Sequence, residues 1–210
     1  MAEAAGPTRL RRDAADNHRR LLEAALAEFN EQGMDACVEQ IAARAGVGIG
    51  TFYRRFGTKD ALVDQMVDDL LDELTEAADR YLAADGGDGL ELFLREVATA
   101  LSRRRGFLPR LWSETSVKHV QQLRPRVRAL LQLAKDKGAI RDEVTGNDVS
   151  LVMWSLRSII EIAGDAGGPA CQRHLDLCLA GMRPGAEALR HPPLSDRARS
   201  RAEHRTPARH

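Results

Sequence analysis

Aromatic side chains are scarce in this 210-residue sequence: two Trp, two Tyr and five Phe make up 4% of it. A platform that stacks successive bases, as readers of single-stranded RNA use, is hard to build from so few. Cysteine is scarcer still, and Cys37, Cys171 and Cys178 are an odd number with no disulfide-framework spacing. A reducing cytoplasm is the simplest setting for them. No apolar run approaches the ~20 residues that cross a bilayer, and no signal-like segment opens the chain. No membrane association is expected. Neither H-E-x-x-H, paired carboxylates, a nucleophile–base set nor a cofactor loop is present, and the six histidines are scattered. The pattern excludes a recognisable enzyme, and no metal or cofactor is expected.

Net charge is also absent: 31 Lys and Arg balance 31 Asp and Glu. Its distribution is uneven. From Gln40 to Lys59 stand Arg44, Arg54, Arg55 and Lys59 with no acid, whereas Asp60 to Glu96 holds twelve acids opposed within that stretch by Arg80 and Arg95 alone. A basic patch beside an acidic body turns one face toward polyanions.

Apolar residues recur at helical spacing nearly throughout, and nothing reads as a strand. Residues 1–15 form a basic arm containing Arg9, Arg11 and Arg12, expected to be flexible. Leu22, Ala25, Leu26 and Phe29 then make an i, i+3, i+4, i+7 stripe that Gly33 ends. Short helices are expected over Val38–Ala45 and Ile49–Phe56, and a long one from Asp60 to about Leu82, with Thr58 as its N-cap. Further helices are expected over Leu90–Arg103, Phe107–Trp112, Ser116–Lys137, Asn147–Ala163 and Ala170–Met182. After Pro184 the Arg, Pro and Ala-rich sequence loses its period, and residues 184–210 read as a disordered tail.

The stretch GVGIGTFYRRFGTKDAL, Gly46 to Leu62, places glycines among cations. A dinucleotide loop needs G-x-G-x-x-G after a strand; here the third glycine is misplaced and EQIAARA before it is helical in pattern. A helix-turn-helix fits instead, with two short helices joined at Gly46, where a positive φ is permitted, and Val47 filling the gap. Ile41, Ala45, Phe52 and Phe56 would face inward. Gly50, Thr51, Arg54 and Arg55 then point outward, a face without an acid. Arg54 and Arg55 can fork onto guanine acceptors or clamp phosphates, Thr51 and Tyr53 offer hydroxyls, and Lys59 sits at a helix N-terminus that favours anions.

The run from His18 to about Leu71 resembles the DNA-binding domain of the TetR family of transcriptional regulators, through VEQIAARAGV and GTFYRRFGTKDAL. LLQLAKDKGAIRDEV, SLRSIIE and LDLCLAGMRP are similar to the ligand-binding halves of actinobacterial-type members. The resemblance implies an all-α fold: a three-helix helix-turn-helix domain over residues 16–60, joined to an antiparallel helical ligand-binding and dimerisation domain over 61–183. It implies phosphate contacts at Thr51, Tyr53 and Lys59, and positions nearest the base edges at Ile49, Gly50 and Arg55. Cys37 departs from the family's usual Thr before the VEQIA helix, and a thiol is a poor cap.

A helix-turn-helix reader of double-stranded DNA needs two heads about one helical turn, ~34 Å, apart. Leu151–Ala163 is apolar on more than one face, and Cys171, Leu175, Cys178, Leu179 and Met182 stripe the next helix. Two such helices per subunit, 150–163 and 170–182, would make a homodimer's four-helix interface, as the family usually does. The resemblance also implies a pocket for a small-molecule effector, for which Phe93, Trp112, Met153 and Trp154 are the large side chains available. Cys171, His174 and Cys178 share one helix face but number three where structural zinc wants four ligands. The expected protein is a ligand-responsive repressor released from a palindromic operator. The alternative is a helical interaction protein whose basic face has no sequence code.

Overall fold

The computed structural model describes the backbone of residues 7–112 and 117–203, and the side chains of residues 13–111 and 119–202. Its described residues form helices and no strand. In chain order these are α1 (Pro7–Gln32), α2 (Val38–Arg44), α3 (Ile49–Phe56), α4 (Lys59–Ala83), α5 (Gly89–Arg103), α6 (Val117–Asp136), α7 (Gly146–Ala163), α8 (Gly167–Met182) and α9 (Asp196–Glu203). A 3₁₀ segment over Arg105–Trp112 joins α5 toward α6. Among the described residues no helix is long and apolar enough to cross a membrane.

Local chemistry explains the boundaries. Thr58 caps α4, its Oγ1 accepting from the Ala61 N–H at 3.0 Å, and Asp60 adds an acid at the positive end of the helix dipole. Thr145 and Asp148 form a reciprocal box at the start of α7, each side chain accepting from the other's backbone N–H. Gly46, at φ +65°, turns the chain between α2 and α3.

One continuous core runs through the molecule. Phe29, Phe52, Phe93 and Phe107 are all fully buried, so the few aromatics serve as core. Helix α4 buries Leu62, Met66, Leu70 and Leu74, together with Val63, Val67 and Leu71. The face is too wide for a single partner, and α4 packs against both α5 and α6.

The 105–112 segment is pressed against α1. Gly106 N–H donates to Asn30 Oδ1 at 3.1 Å, Asn30 Nδ2 donates to the Arg103 carbonyl at 2.8 Å, and Phe29 meets Phe107 edge-on at 6.5 Å. A Cβ on Gly106 would lie 1.9 Å from the Phe29 carbonyl oxygen.

Three expectations differ from what is found. The helix α1 begins at Pro7, so the arm is helical over 7–15, while residues 1–6 lie outside the described residues. The stretch after Pro184 is held in place. Arg141 donates to the carbonyls of Ala186 and Glu187, and Asn147 to that of Leu194, before α9 forms. Residues 204–210 of the expected tail lie outside the described residues. On α8, Cys171, Leu175, Leu179 and Met182 are buried in the chain's own core, because this face packs on α5 and α7.

Gly106→Ala should separate the segment from α1 and cost about 1–3 kcal/mol by overpacking. A urea unfolding curve showing no loss of stability would mean that the contact is looser than drawn.

Candidate nucleic-acid interface

Helix α2, the glycine turn and α3 form a compact pair. Val47 N–H bonds to the Ala42 carbonyl and Gly46 N–H to that of Ala43, each at 3.0 Å, which fixes the turn. Ile41 and Ala45 are buried beneath α2; Phe52 and Phe56 are buried beneath α3, their rings 5.4 Å apart. The opposite side of α3 is left to solvent. Gly50, Tyr53, Arg54 and Arg55 are exposed, Ile49 is 41% exposed, and Thr51 is half-buried. A Cβ at Gly48 or Gly50 would meet nothing within 4 Å. Neither glycine is therefore required by packing within the chain.

The four cations of this region each stand in a different situation. Arg54 Nη2 donates to Thr51 Oγ1 at 3.3 Å, so it lies along its own helix. Arg55 Nε donates to His18 Nδ1 at 3.0 Å, and the His18 ring packs on Phe56 at 5.4 Å. Burial, followed by the Arg55 charge, holds the imidazolium pKa of His18 below its ordinary value, with Asp69 opposing. That keeps a lone pair on Nδ1 for Arg55. Arg44 is different: its guanidinium takes Glu31 with two 2.8 Å bonds and reaches Glu28 at 2.8 Å. Its charge is spent joining α2 to α1, so it does not belong to the basic face as its sequence position suggested.

Lys59 also does more than its position implied. Its Nζ donates to the carbonyls of Met34 at 2.6 Å and Ala36 at 3.2 Å, tying the first turn of α4 to the loop before α2. An ammonium has three donors, so one remains for an anion. Cys37 does stand at the N-cap of α2, but Gln40 completes the cap: its Oε1 accepts from the Cys37 N–H at 3.2 Å and from the thiol at 3.0 Å. No local sequence signal marks His18 or the Met34 and Ala36 carbonyls, since each partner is more than twenty residues away.

The acidic body is more paired than the sequence suggested. Arg110 binds Asp64 at 3.0 Å and Asp60 at 3.9 Å; Arg104 binds Glu73; Arg126 binds Asp79 at 2.7 Å; His119 lies 3.2 Å from Asp68. Each such partly exposed pair is worth little alone, but the three arginines offset part of the negative charge along α4.

A cavity of about 120 Å³ lies between α4, α5, α6 and α7. Leu71 and Leu74 reach it from α4, Val97 and Leu101 from α5, and Met153 and Trp154 from α7. Phe93 does not line it. It lies one turn before Val97 and is fully enclosed in the core. The side chain of Trp112 lies outside the described residues. On α8, His174 Nε2 is 2.7 Å from Ser155 Oγ and 3.4 Å from Cys178 Sγ, while Cys171 donates to the Leu156 carbonyl at 3.1 Å. Burial pushes the Cys171 thiol up to about 11. Among the described residues no three His, Cys, Asp or Glu side chains gather as a metal site.

Residues 21–66 match the sequence model of the bacterial regulatory proteins of the tetR family, and residues 85–184 that of the C-terminal domain of SbtR-like transcriptional regulators. The chain is similar to the crystal structure of the TetR transcription regulatory protein from Mycobacterium vanbaalenii. Identity is 28% and TM-score 0.62, over 83% of this chain and 99% of that one. It is equally similar to the TetR transcriptional regulator SCO0520 from Streptomyces coelicolor, at 28% identity and TM-score 0.62, over 80% of this chain and 99% of that one. SmeT, the repressor of the Stenotrophomonas maltophilia multidrug efflux pump SmeDEF, shares the fold at 20% identity and TM-score 0.59, over 86% of this chain and 100% of SmeT. No curated protein matches the chain.

Lys59→Met keeps the aliphatic stem but strands the two carbonyls. It should lower stability by about 1–3 kcal/mol, read from urea unfolding. Unchanged stability would show that the ammonium is not needed there.

Proposed function

From the premise that this chain belongs to the TetR family of bacterial regulatory proteins, we propose that it is a ligand-responsive repressor released from a palindromic operator by a small molecule. The observation that carries the reading is the double role of α4. Its first residue, Lys59, borders the exposed acid-free face of α3, and its Leu71 and Leu74 line the cavity. Twelve residues of helix, ~18 Å, separate the two positions. Gly50, Thr51, Tyr53, Arg54, Arg55 and Lys59 are the residues that meet DNA in this reading, Arg55 at base edges and Lys59 at phosphate.

The cavity wall is also linked to α4 by a second path. Leu111 lines the cavity, and its neighbour Arg110 holds Asp64 and Asp60 in the first turns of α4. A ligand that displaces either wall acts on the spacing of the reading heads through differential contact, worth ~1–3 kcal/mol in typical couplings.

The homodimer uses the outer faces of α7 and α8. Leu151 is 41% exposed, Ile162 87% and Leu177 60%. These apolar side chains stand opposite the faces that enter the core, so each helix has a second side to cover. This is the outer face of α8, not the Cys171–Met182 stripe.

Selection of duplexes from a random DNA pool at near-physiological salt should enrich an inverted repeat, and Arg55→Ala should flatten the preference by about 1–3 kcal/mol. Failure to enrich any sequence, with only salt-sensitive binding, would favour an interaction protein with a basic face. Ile162→Glu combined with Leu177→Glu should convert the dimer to a folded monomer in sedimentation velocity. Retention of the dimer would place the interface elsewhere.

A further inference from the structure

Arg55 is held in place from outside its own helix. Its Nε donates to Nδ1 of His18 on α1 at 3.0 Å, across 37 residues of sequence. The His18 ring lies on Phe56, with centroids 5.4 Å apart and planes at 32°, and Phe56 is itself buried against Phe52. The acceptor is therefore fixed by the core beneath α3. Arg54 differs, because it donates a terminal Nη2 to Thr51 of its own helix. Arg55 commits Nε, so the bond leaves aside the Nη pair that forks onto guanine acceptors.

We propose that His18 is a positioning residue for sequence recognition, its imidazole ordering the Arg55 guanidinium for a base edge before DNA arrives. This rests on the reading of Arg55 as a base-contacting residue, and it extends the recognition surface to α1. A long side chain free at the surface loses rotamer freedom when it docks; a tethered one loses less, and the difference appears in affinity for the right sequence. The bond needs a lone pair on Nδ1, so it exists for the neutral ring alone. The charges acting on the ring are Arg55 from α3 and Asp69 from α4, and Asp72, Asp68 and Arg104 act in turn on Asp69. Burial, then the Arg55 charge, lower the imidazole's pKa, with Asp69 opposing. The accepting form therefore prevails at neutral pH. It is lost as pH falls below the ordinary histidine range, where an imidazolium lacks the lone pair and repels Arg55.

The test uses the full chain and reads the ratio of its affinities for the enriched operator duplex and for a scrambled duplex of the same composition. From about pH 7.5 to about pH 5.5 the ratio should fall by about threefold to tenfold, the fold-change of ordering one long side chain. His18→Phe keeps a ring on Phe56 and removes the acceptor, and its ratio should sit at the low value at both ends of that range. His18→Asn places Oδ1 as many bonds from Cβ as Nδ1 and does not titrate. It should restore the ratio and hold it as pH falls. A circular-dichroism melt of each variant checks its fold. A ratio independent of pH in the unmodified chain would overturn the proposal, and that measurement needs no variant. So would a His18→Phe ratio equal to that of the unmodified chain at the higher pH, or a His18→Asn ratio no better than that of His18→Phe. Arg55→Ala in the same assay separates the two claims. Loss of preference with Arg55→Ala but not with His18→Phe removes the positioning role and keeps Arg55 as a reader. Preference retained with Arg55→Ala overturns the reading of Arg55, and the proposal with it.

Discussion

The constraint on which the rest of the structure depends is the unbroken backbone of α4. No glycine or proline interrupts the 25 residues from Lys59 to Ala83, so the helix, about 37 Å long, behaves as one rigid body. Its N-terminal turn is fixed to the reading domain twice, by the Thr58 cap and by the Lys59 ammonium on the Met34 and Ala36 carbonyls. Its middle is fixed to the other half by leucines that enter the core and border the cavity. A helix anchored at both places cannot tilt at one without moving the other. The loop before α2 moves with it, and α3 follows through the shared core of Ile41, Phe52 and Phe56.

The 105–112 segment is the second restraint on the same joint. Gly106 lets its backbone lie against the end of α1 at a distance no side chain permits, and Asn30 bridges the two with hydrogen bonds in both directions. From there the segment runs past Arg110, on the acids of α4, to Leu111 at the cavity. The cavity is thus in contact with the reading domain through two walls, a helix and a strap that Arg110 ties to it. Close-packed interfaces of this kind shift between discrete arrangements more readily than they deform.

Most of the helical layout was legible in the sequence, because helix signals are local. The expected Ile49–Phe56 helix matches α3, and α2, α4, α5 and α7 begin or end within a residue or two of expectation. Phe52 and Phe56 were assigned to the core by spacing alone, and Arg54 and Arg55 to the surface. What could not be read was long-range pairing. Arg44 looked like part of the basic face because Glu28 and Glu31 lie on another helix, thirteen or more residues earlier. The stripe on α8 looked available for a partner because nothing in its own sequence says that α5 and α7 already cover it. Residues 184–203 looked unstructured because their backbone partners, Arg141 and Asn147, are some 45 residues away.

Long-range pairing also changes what the charge distribution means. Counted along the chain, Asp60 and Asp64 follow directly on the basic stretch and should repel any phosphate near Lys59. In the folded protein Arg110 stands against both. At physiological salt a charge is felt over about 8 Å, so the nearest acids matter far more to a docking polyanion than the zero net charge of the chain. The pairing that quiets them comes from the strap that also borders the cavity. Displacing Arg110 would leave two carboxylates in the first turns of α4 without their cation, and the local field next to Lys59 would become more negative.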